Sequence, residues 1–245
     1  MRMGAAIVAA VALVAGTAGA AEIKLSSSNA VKTVLEELVP QFEKATEHKV
    51  KITLGTAAGL KASIEKGEAF DVAILTGAGI DGLIKDGKVA AASRADIARS
   101  GIGVAVKKGA PKPDISTTDA FKRTLLAAKS VGYVEQGASG IYLKALFERL
   151  GIADALKPKL IALLASNPAA KAVANGEAEI GMTQISEILP YAGAELVGPL
   201  PADIQLTTVF TAGAAKDGGP AQALIAFLRT PAAAAVIKAK GLDPG

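Results

Sequence analysis

Residues 22–45 read EIKLSSSNAVKTVLEELVPQFEKA, and this stretch predicts a strand, a polar turn and a helix in succession. Ile23-Lys24-Leu25 alternates like a short strand, and Ser26 to Asn29 carry the small oxygen-bearing side chains that cap helices. The apolar residues after them recur on one face of a helix that ends near Ala45. A strand that leads through a polar turn into an amphipathic helix is the building unit of an α/β protein.

The same unit recurs along the chain. The segment Phe70–Leu75 is nearly all apolar, which predicts a strand buried on both faces, as in a parallel sheet. Three further turns of small and polar residues stand between a predicted strand and a predicted helix: Gly55–Gly59, Gln136–Gly140 and Thr183–Glu187. Strands that alternate with helices predict a mainly parallel sheet flanked by helices.

Together the four turns predict an anion site. Helix N-termini expose backbone N–H groups and the positive end of the helix dipole, so they bind anions without a formal positive charge. In open α/β sheets ligands bind at the carboxyl ends of the strands, where all four turns would lie. We therefore expect a small anion there, held by main-chain N–H groups and by hydroxyl and amide side chains.

The composition excludes several classes of function. The 245 residues include no Cys and one His, which removes thiol nucleophiles, Cys-based zinc sites and His-pair metal sites. Lys and Arg number 27 against 23 Asp and Glu, a net charge of +4, and only 4% of residues are aromatic. Without a basic block, nucleic-acid binding is not expected. The phosphate-loop motif GxxxxGK[ST] is absent from the sequence, and we expect neither a metal nor a cofactor.

The first 20 residues, MRMGAAIVAAVALVAGTAGA, have the three parts of a secretory signal peptide. Arg2 is the basic start, an apolar run follows to about Ala15, and Ala18-Gly19-Ala20 matches the A-x-A cleavage site. The run is too short and too rich in Ala for a membrane anchor, which needs about 20 strongly apolar residues. We predict export, cleavage after about Ala20 and a mature protein in the periplasm.

Several segments resemble the molybdate-type periplasmic substrate-binding proteins. They are PQFEKATEHKV (40–50), IEKGEAFDV (64–72), NGEAEIG (175–181) and the C-terminal stretch from ALIAFL (223–228) to KGLDP (240–244). The resemblance covers residues 22–245 in order. It implies the two-lobed α/β fold of the type 2 periplasmic-binding proteins, each lobe a mixed, mainly parallel sheet flanked by helices, with a ligand cleft between the lobes. Lobe one would comprise 21–106 plus 200–245, and lobe two 107–199.

In that family, Ser hydroxyls and backbone N–H groups from each loop hold an oxyanion. The resemblance therefore implies a ligand site at Ser27, Ser28, Asn29, Thr56, Ala57, Ala58, Ala138, Ser139, Gly140, Gln184 and Ser186. The second loop has Thr56-Ala57-Ala58 where the family usually has Ser, and Gln184 stands where molybdate binders often place Tyr. The identity of the anion stays open between a molybdate-like oxyanion and an organic carboxylate.

Three charged residues are weighed beside these neutral donors. Arg99, near the expected crossing between the lobes, is a candidate carboxylate clamp, with a structural ion pair as the alternative. Glu135, at the start of the third loop, is a candidate general acid or base. Glu187, at a helix start, is also a candidate general acid or base if it is desolvated, with complementation of the helix dipole as the favoured interpretation.

Two functions follow. The first is a non-enzymatic solute-binding protein, a monomer, which captures a small anion between its lobes and delivers it to an ABC-type permease in the membrane. The second rests on the resemblance to aconitate isomerases of the same fold, periplasmic enzymes that interconvert cis- and trans-aconitate without a cofactor. In that case Glu135 would be the acid or base. The sequence favours the first function and keeps the second as the alternative.

Overall fold

The computed structural model describes residues 20–245, and the predicted signal peptide lies outside them except for Ala20. The strands in this part of the chain are Glu22–Ser28 (β1), Lys49–Gly55 (β2), Val72–Thr76 (β3), Ala95–Lys107 (β4), Val131–Val134 (β5), Leu160–Leu163 (β6), Ile180–Gln184 (β7), Ala194–Pro199 (β8), Thr207–Ala214 (β9) and Asp243–Pro244 (β10). The helices are Lys32–Thr46 (α1), Ala57–Glu65 (α2), Gly77–Lys85 (α3), Thr118–Ala127 (α4), Ala138–Arg149 (α5), Ala153–Leu156 (α6), Ala169–Asn175 (α7), Ile185–Ile188 (α8), Gly219–Phe227 (α9) and Pro231–Ala239 (α10).

The strands form two sheets that share β4. In the first sheet β1 lies parallel between β2 and β3, and β9 runs antiparallel between β3 and the first half of β4. In the second sheet β7 and β8 pair antiparallel with the second half of β4, and β5 lies parallel between β7 and β6. The predicted α/β fold with mixed sheets is confirmed.

The strand β4 carries the chain from one sheet to the other without a break. Its residues up to Gly101 pair with β9, whereas those from Ile102 pair with β7. The boundary predicted from the sequence, after residue 106, lies further along β4 than this change of partner. We call the sheet that contains β1, with its helices, the first lobe, and the sheet that contains β7, with its helices, the second lobe.

Each lobe has its own hydrophobic core. The apolar stripe predicted for the first helix is buried in the first core, where Leu35, Leu38 and Phe42 are all at most 1% exposed. In the second core Phe121, Phe147 and Met182 are equally buried. Because each lobe packs around its own core, the ends of strands from both lobes are free to face each other at the cleft.

The helix α3 was not predicted from the sequence. Gly77, Gly79 and Gly82 lower its intrinsic helix propensity by about 1 kcal/mol each relative to Ala. The helix forms because the Thr76 hydroxyl accepts a hydrogen bond from the Gly79 N–H over 3.2 Å, and because Ile80 and Leu83 are fully buried. Tertiary packing here outweighs local preference.

Within residues 20–245, no single helix is long and apolar enough to cross a membrane, and α9 and α10 reach that length only as a pair bent by 60°.

Candidate functional site

A small cavity, here called the inner cavity, lies between the two lobes where the predicted turns meet. Its volume is about 30 Å³, and since one water needs about 10–15 Å³, it has room for roughly two or three water-sized groups. It is lined by Ser28, Asn29, Ala30, Gly55, Thr56, Ala57, Val134, Gly137, Ala138, Ser139, Ala165, Pro168, Thr183, Gln184, Glu187 and Phe210. All four predicted turns therefore contribute residues to one space.

Helices from both lobes begin at the inner cavity. Ala57 is the first residue of α2 in the first lobe, and Ala138 is the first residue of α5 in the second. The Thr56 hydroxyl caps α2 by accepting a hydrogen bond from the Gly59 N–H over 3.1 Å. Gly137, the residue that caps α5, has no side chain to accept such a bond. The N–H groups in the first turn of α5 are therefore available to an anion, which also benefits from the dipoles of both helices.

The first turn of α5 reaches the cavity because Gly140 packs directly against the end of β5. A Cβ atom at this position would lie 2.0 Å from the carbonyl oxygen of Val134, so only glycine fits. This contact holds Ala138 and Ser139 at the cavity wall.

Gln184, at the end of β7, is a buried amide whose bonding is incomplete. The residue is 2% exposed, and its Nε2 donates a hydrogen bond to the Thr208 hydroxyl over 3.1 Å. Its Oε1 has no partner among the described residues. A hydroxyl can both donate and accept. If the amide plane were rotated by 180°, Oε1 would accept a hydrogen bond from the Thr208 hydroxyl, and Nε2 would be free to donate to another group. Since Gln184 lines the inner cavity, its N–H₂ group is suited to an anion there.

Glu187 is the one ionisable side chain among the described residues that line the inner cavity. Its carboxyl group accepts hydrogen bonds from the Thr183 hydroxyl and from the backbone N–H of Gln184. Burial nevertheless raises the pKa of Glu187 above its usual range, because the effect of desolvation exceeds that of the two hydrogen bonds. Burial thus favours the protonated form relative to an exposed glutamate, and in that form the carboxyl group can donate a hydrogen bond.

A larger space, here called the outer cavity, adjoins the inner one. Its volume is about 350 Å³, within the range of small-molecule sites. Asn29, Ala165, Pro168 and Glu187 line both cavities. The other residues that line the outer cavity are Lys32, Thr33, Glu36, Leu54, Ser166, Ser186, Pro190 and Tyr191.

The model of the family described as bacterial extracellular solute-binding proteins matches residues 23–243. The chain belongs to this family. It is 36% identical to an aconitate isomerase of Pseudomonas sp., over 100% of this chain and 95% of that protein. It is 30% identical to the molybdate-binding protein ModA of Azotobacter vinelandii, over 94% of this chain and 92% of that protein. These relatives confirm the resemblance inferred from the sequence segments.

Two solved anion-binding proteins have the same fold as this chain. The solved periplasmic molybdate-binding protein of Azotobacter vinelandii superimposes with a TM-score of 0.76 at 22% identity, over 91% of this chain and 99% of that one. The sulfate-binding protein SubI of Mycobacterium tuberculosis gives a TM-score of 0.74 at 17% identity, over 91% and 87%. The solute-binding protein described here thus has the two-lobed fold that the sequence predicts.

In this solute-binding protein the predicted ligand residues fall into three groups. The largest group lines the inner cavity and comprises Ser28, Asn29, Thr56, Ala57, Ala138, Ser139 and Gln184. Ser186 lines the outer cavity. Ser27, Ala58 and Gly140 line neither cavity: Ser27 is fully buried, Ala58 is exposed, and Gly140 lies in the first turn of α5.

Two of the three charged candidates from the sequence lie elsewhere. Arg99 is exposed on β4, opposite Val209 and Asp243 in the sheet register, and lines neither cavity. Glu135 is exposed, and its carboxylate lies 3.4 Å from the ammonium of Lys144. Of the two glutamates, Glu187 lines the inner cavity and Glu135 does not.

One turn at the site was not predicted from the sequence. Residues 165–168, Ala-Ser-Asn-Pro, follow β6 and precede α7, and both Ala165 and Pro168 line the inner cavity. Small polar residues before a helix are the same signal that identified the other turns. The strand before this turn, β6, has only four residues, and all of them are at least partly exposed. Because so short and exposed a strand has no clear sequence pattern, the turn after it was not predicted.

Proposed function

We propose that this protein is the periplasmic solute-binding component of an ABC-type importer and that it captures a small organic anion between its lobes. The observation that carries the proposal is the inner cavity, where α2 of the first lobe and α5 of the second begin at one space. Hydroxyl, amide and main-chain donors surround that space, and no cationic side chain lines it among residues 20–245. Such donors replace the hydration shell of an anion without forming a permanent ion pair.

The two-lobed arrangement supplies a means of capture and release. Each lobe contributes only part of the donor set, so an anion gains its full complement of hydrogen bonds only when both lobes contact it. A ligand that binds one conformation better than another shifts the population toward it, and the closed form is thereby favoured. The importer would then distinguish the loaded from the empty protein by shape.

Glu187 favours a carboxylate ligand over a metal oxyanion. Its carboxyl group lines the inner cavity, and burial raises its pKa, which favours the protonated form relative to an exposed glutamate. A carboxylic acid beside a carboxylate shares its proton, as paired carboxyl groups do in enzymes.

Calorimetric titration of the mature protein tests this proposal. We expect citrate and cis- and trans-aconitate to bind more tightly than molybdate or sulfate, and to raise the melting temperature. At a ligand concentration of 100 times Kd, the stabilisation is about 2.7 kcal/mol. Binding of none of these anions would contradict the proposal, and tightest binding of molybdate would contradict the choice of a carboxylate.

A second candidate function is isomerisation of an unsaturated tricarboxylate. Glu187 favours it, because this carboxyl group lines both cavities and burial raises its pKa, which makes it a stronger base than an exposed glutamate. The aconitate isomerase of Pseudomonas sp. that is 36% identical to this chain supports the same function.

The chemistry requires one group that both removes and returns a proton. An ionised Glu187 would take a proton from the methylene carbon of aconitate, and the electron pair would move into a new double bond as the old one opens. The same proton then returns to the far carbon of the allylic system, which becomes the new methylene. No atom is gained or lost, and the side chain is regenerated.

Incubation with cis-aconitate, followed by chromatography for trans-aconitate, decides between the two functions. Turnover that is lost in Glu187→Gln supports the isomerase, and binding without turnover supports the transport protein. Glu135→Gln tests the sequence-based choice of base. Glu148→Gln, on the exposed face of α5, is the matched control.

A further inference from the structure

We infer that the outer cavity is a second anion subsite, in which Lys32 and Ser186 hold a second carboxylate of a ligand whose first carboxylate occupies the inner cavity. The inference rests on the proposed function and deepens it. It specifies an elongated ligand with at least two carboxylates rather than a compact anion.

The two cavities have the sizes that such a ligand requires. The inner cavity, at about 30 Å³, accommodates roughly the two oxygens of one carboxylate, whereas the outer cavity measures about 350 Å³. Four residues line both spaces, so the cavities are neighbours along one path. A ligand anchored at the inner end therefore has its remaining atoms in the outer cavity.

Lys32 supplies the positive charge of the outer cavity. Among the described residues that line either cavity, it is the one cationic side chain. Its ammonium lies 3.6 Å from the carboxylate of Glu36, and the side chain is 49% exposed. Exposed ion pairs of this kind contribute only about 0–1 kcal/mol, so Lys32 can exchange Glu36 for a ligand carboxylate at little cost.

Ser186 supplies a donor that has no other use in the described structure. The residue is 2% exposed, and its Oγ has no hydrogen-bond partner among residues 20–245. A buried hydroxyl without a partner costs about 1–3 kcal/mol. Because Ser186 lines the outer cavity, a ligand carboxylate there would accept this hydrogen bond and remove the penalty.

Titrations with acetate, succinate and citrate test the subsite. The unaltered protein should bind succinate and citrate at least tenfold more tightly than acetate. In Lys32→Met, the affinity for succinate and citrate should fall about tenfold, because a hydrogen bond to a charged group is lost, while that for acetate is unchanged. Ser186→Ala should lower the same two affinities several-fold. Lys44→Met, on an exposed position in the last turn of α1, is the matched control.

The outcomes separate this inference from the function on which it rests. If the unaltered protein binds none of the anions, the proposed function fails and the subsite with it. If acetate binds but succinate gains nothing, or if Lys32→Met weakens all three ligands equally, only the subsite is overturned.

Discussion

The amide of Gln184 and the hydroxyl of Thr208 are hydrogen-bonded over 3.1 Å, which joins β7 of the second lobe to β9 of the first. Both strands flank β4, the strand that the two sheets share. The bond therefore lies where the lobes meet, and Gln184 also lines the inner cavity. One side chain thus connects the contact between the lobes to the contact with a ligand.

Replacement of Gln184 by Leu should weaken anion binding more than it weakens the fold. The variant loses an amide donor to a charged ligand, worth about 1.5–3 kcal/mol, or at least tenfold in Kd. It loses the hydrogen bond to Thr208 but also removes the buried Oε1 that has no partner in the described structure, and because these two effects oppose each other, the free energy of unfolding should change less than the free energy of binding. Calorimetric titration with citrate and thermal melting measure the two quantities.

Thr208→Val is the matched control for that variant. It removes the hydroxyl but keeps the amide at the cavity, so we expect a smaller loss of affinity than in Gln184→Leu. An equal loss in both variants would show that Gln184 acts through the contact between the lobes and not on the ligand.

The raised pKa of Glu187 predicts a pH-dependent stability. The folded protein holds the proton of Glu187 more tightly than the unfolded chain does, whose pKa is near the ordinary value of 4.5. Stability must therefore fall as the pH rises from that value to the raised pKa, by up to about 1.4 kcal/mol per pH unit. Lys32, Glu36 and Tyr191 are the other titratable groups at the outer cavity.

Glu187→Gln should remove this dependence, because the amide does not ionise. Its melting temperature should exceed that of the unaltered protein at pH 7, by about 2–4 °C for each kcal/mol, and should match it near pH 4. Melting curves between pH 4 and 8 measure the effect, with Glu148→Gln as the exposed control. A difference that is the same at every pH would contradict the raised pKa.

Gly140→Ala should destabilise the second lobe and displace α5 from the cavity. The added Cβ would lie 2.0 Å from the Val134 carbonyl oxygen, and a backbone atom cannot move aside by changing rotamer. We expect a loss of about 3 kcal/mol in the free energy of unfolding and weaker anion binding. Urea denaturation and titration at a temperature where the variant is folded measure both.

The control for Gly140→Ala is Ala145→Gly, at an exposed position of the same helix. It should cost about 1 kcal/mol in helix propensity without affecting anion affinity. If Gly140→Ala proved as stable as the unaltered protein, the contact between α5 and β5 would not be what places Ala138 and Ser139.

Gln205 stabilises the point where β4 enters the second sheet. Its Oε1 accepts hydrogen bonds from the N–H groups of Ile102 and Leu206, and its Nε2 donates to the Ile102 carbonyl, each over 2.9 Å. Gln205→Ala should lower the free energy of unfolding by about 1–3 kcal/mol, because the N–H groups of Ile102 and Leu206 lose this partner, whereas the Ile102 carbonyl keeps a hydrogen bond from the Leu200 N–H.

Gln41→Ala is the comparison for that change in urea denaturation. Gln41 is exposed on α1 and donates one hydrogen bond to the Glu37 carbonyl, so its loss should cost no more than about 0.5 kcal/mol. Equal effects of the two substitutions would exclude a special role for Gln205 at the crossing.

The repeating strand, turn and helix, and most of the turns that form the inner cavity, could be predicted from the amino-acid sequence. Capping preference, apolar periodicity and the anion affinity of helix N-termini are local properties, readable from a few neighbouring residues. They identified the turns that contain Ser28, Thr56, Ala138 and Gln184, and the family resemblance implied these residues as ligand candidates. All four line that cavity.

Which charged groups line the cavities depends on how the lobes pack. Glu135 and Glu187 both lie beside a turn of the same kind, yet the first faces Lys144 at the surface and the second lines both cavities. Lys32 and Ser186 line the same cavity although α1 and α8 are distant in sequence and belong to different lobes. The direction of a side chain depends on how its element packs on the rest of the fold, and local sequence does not contain that information.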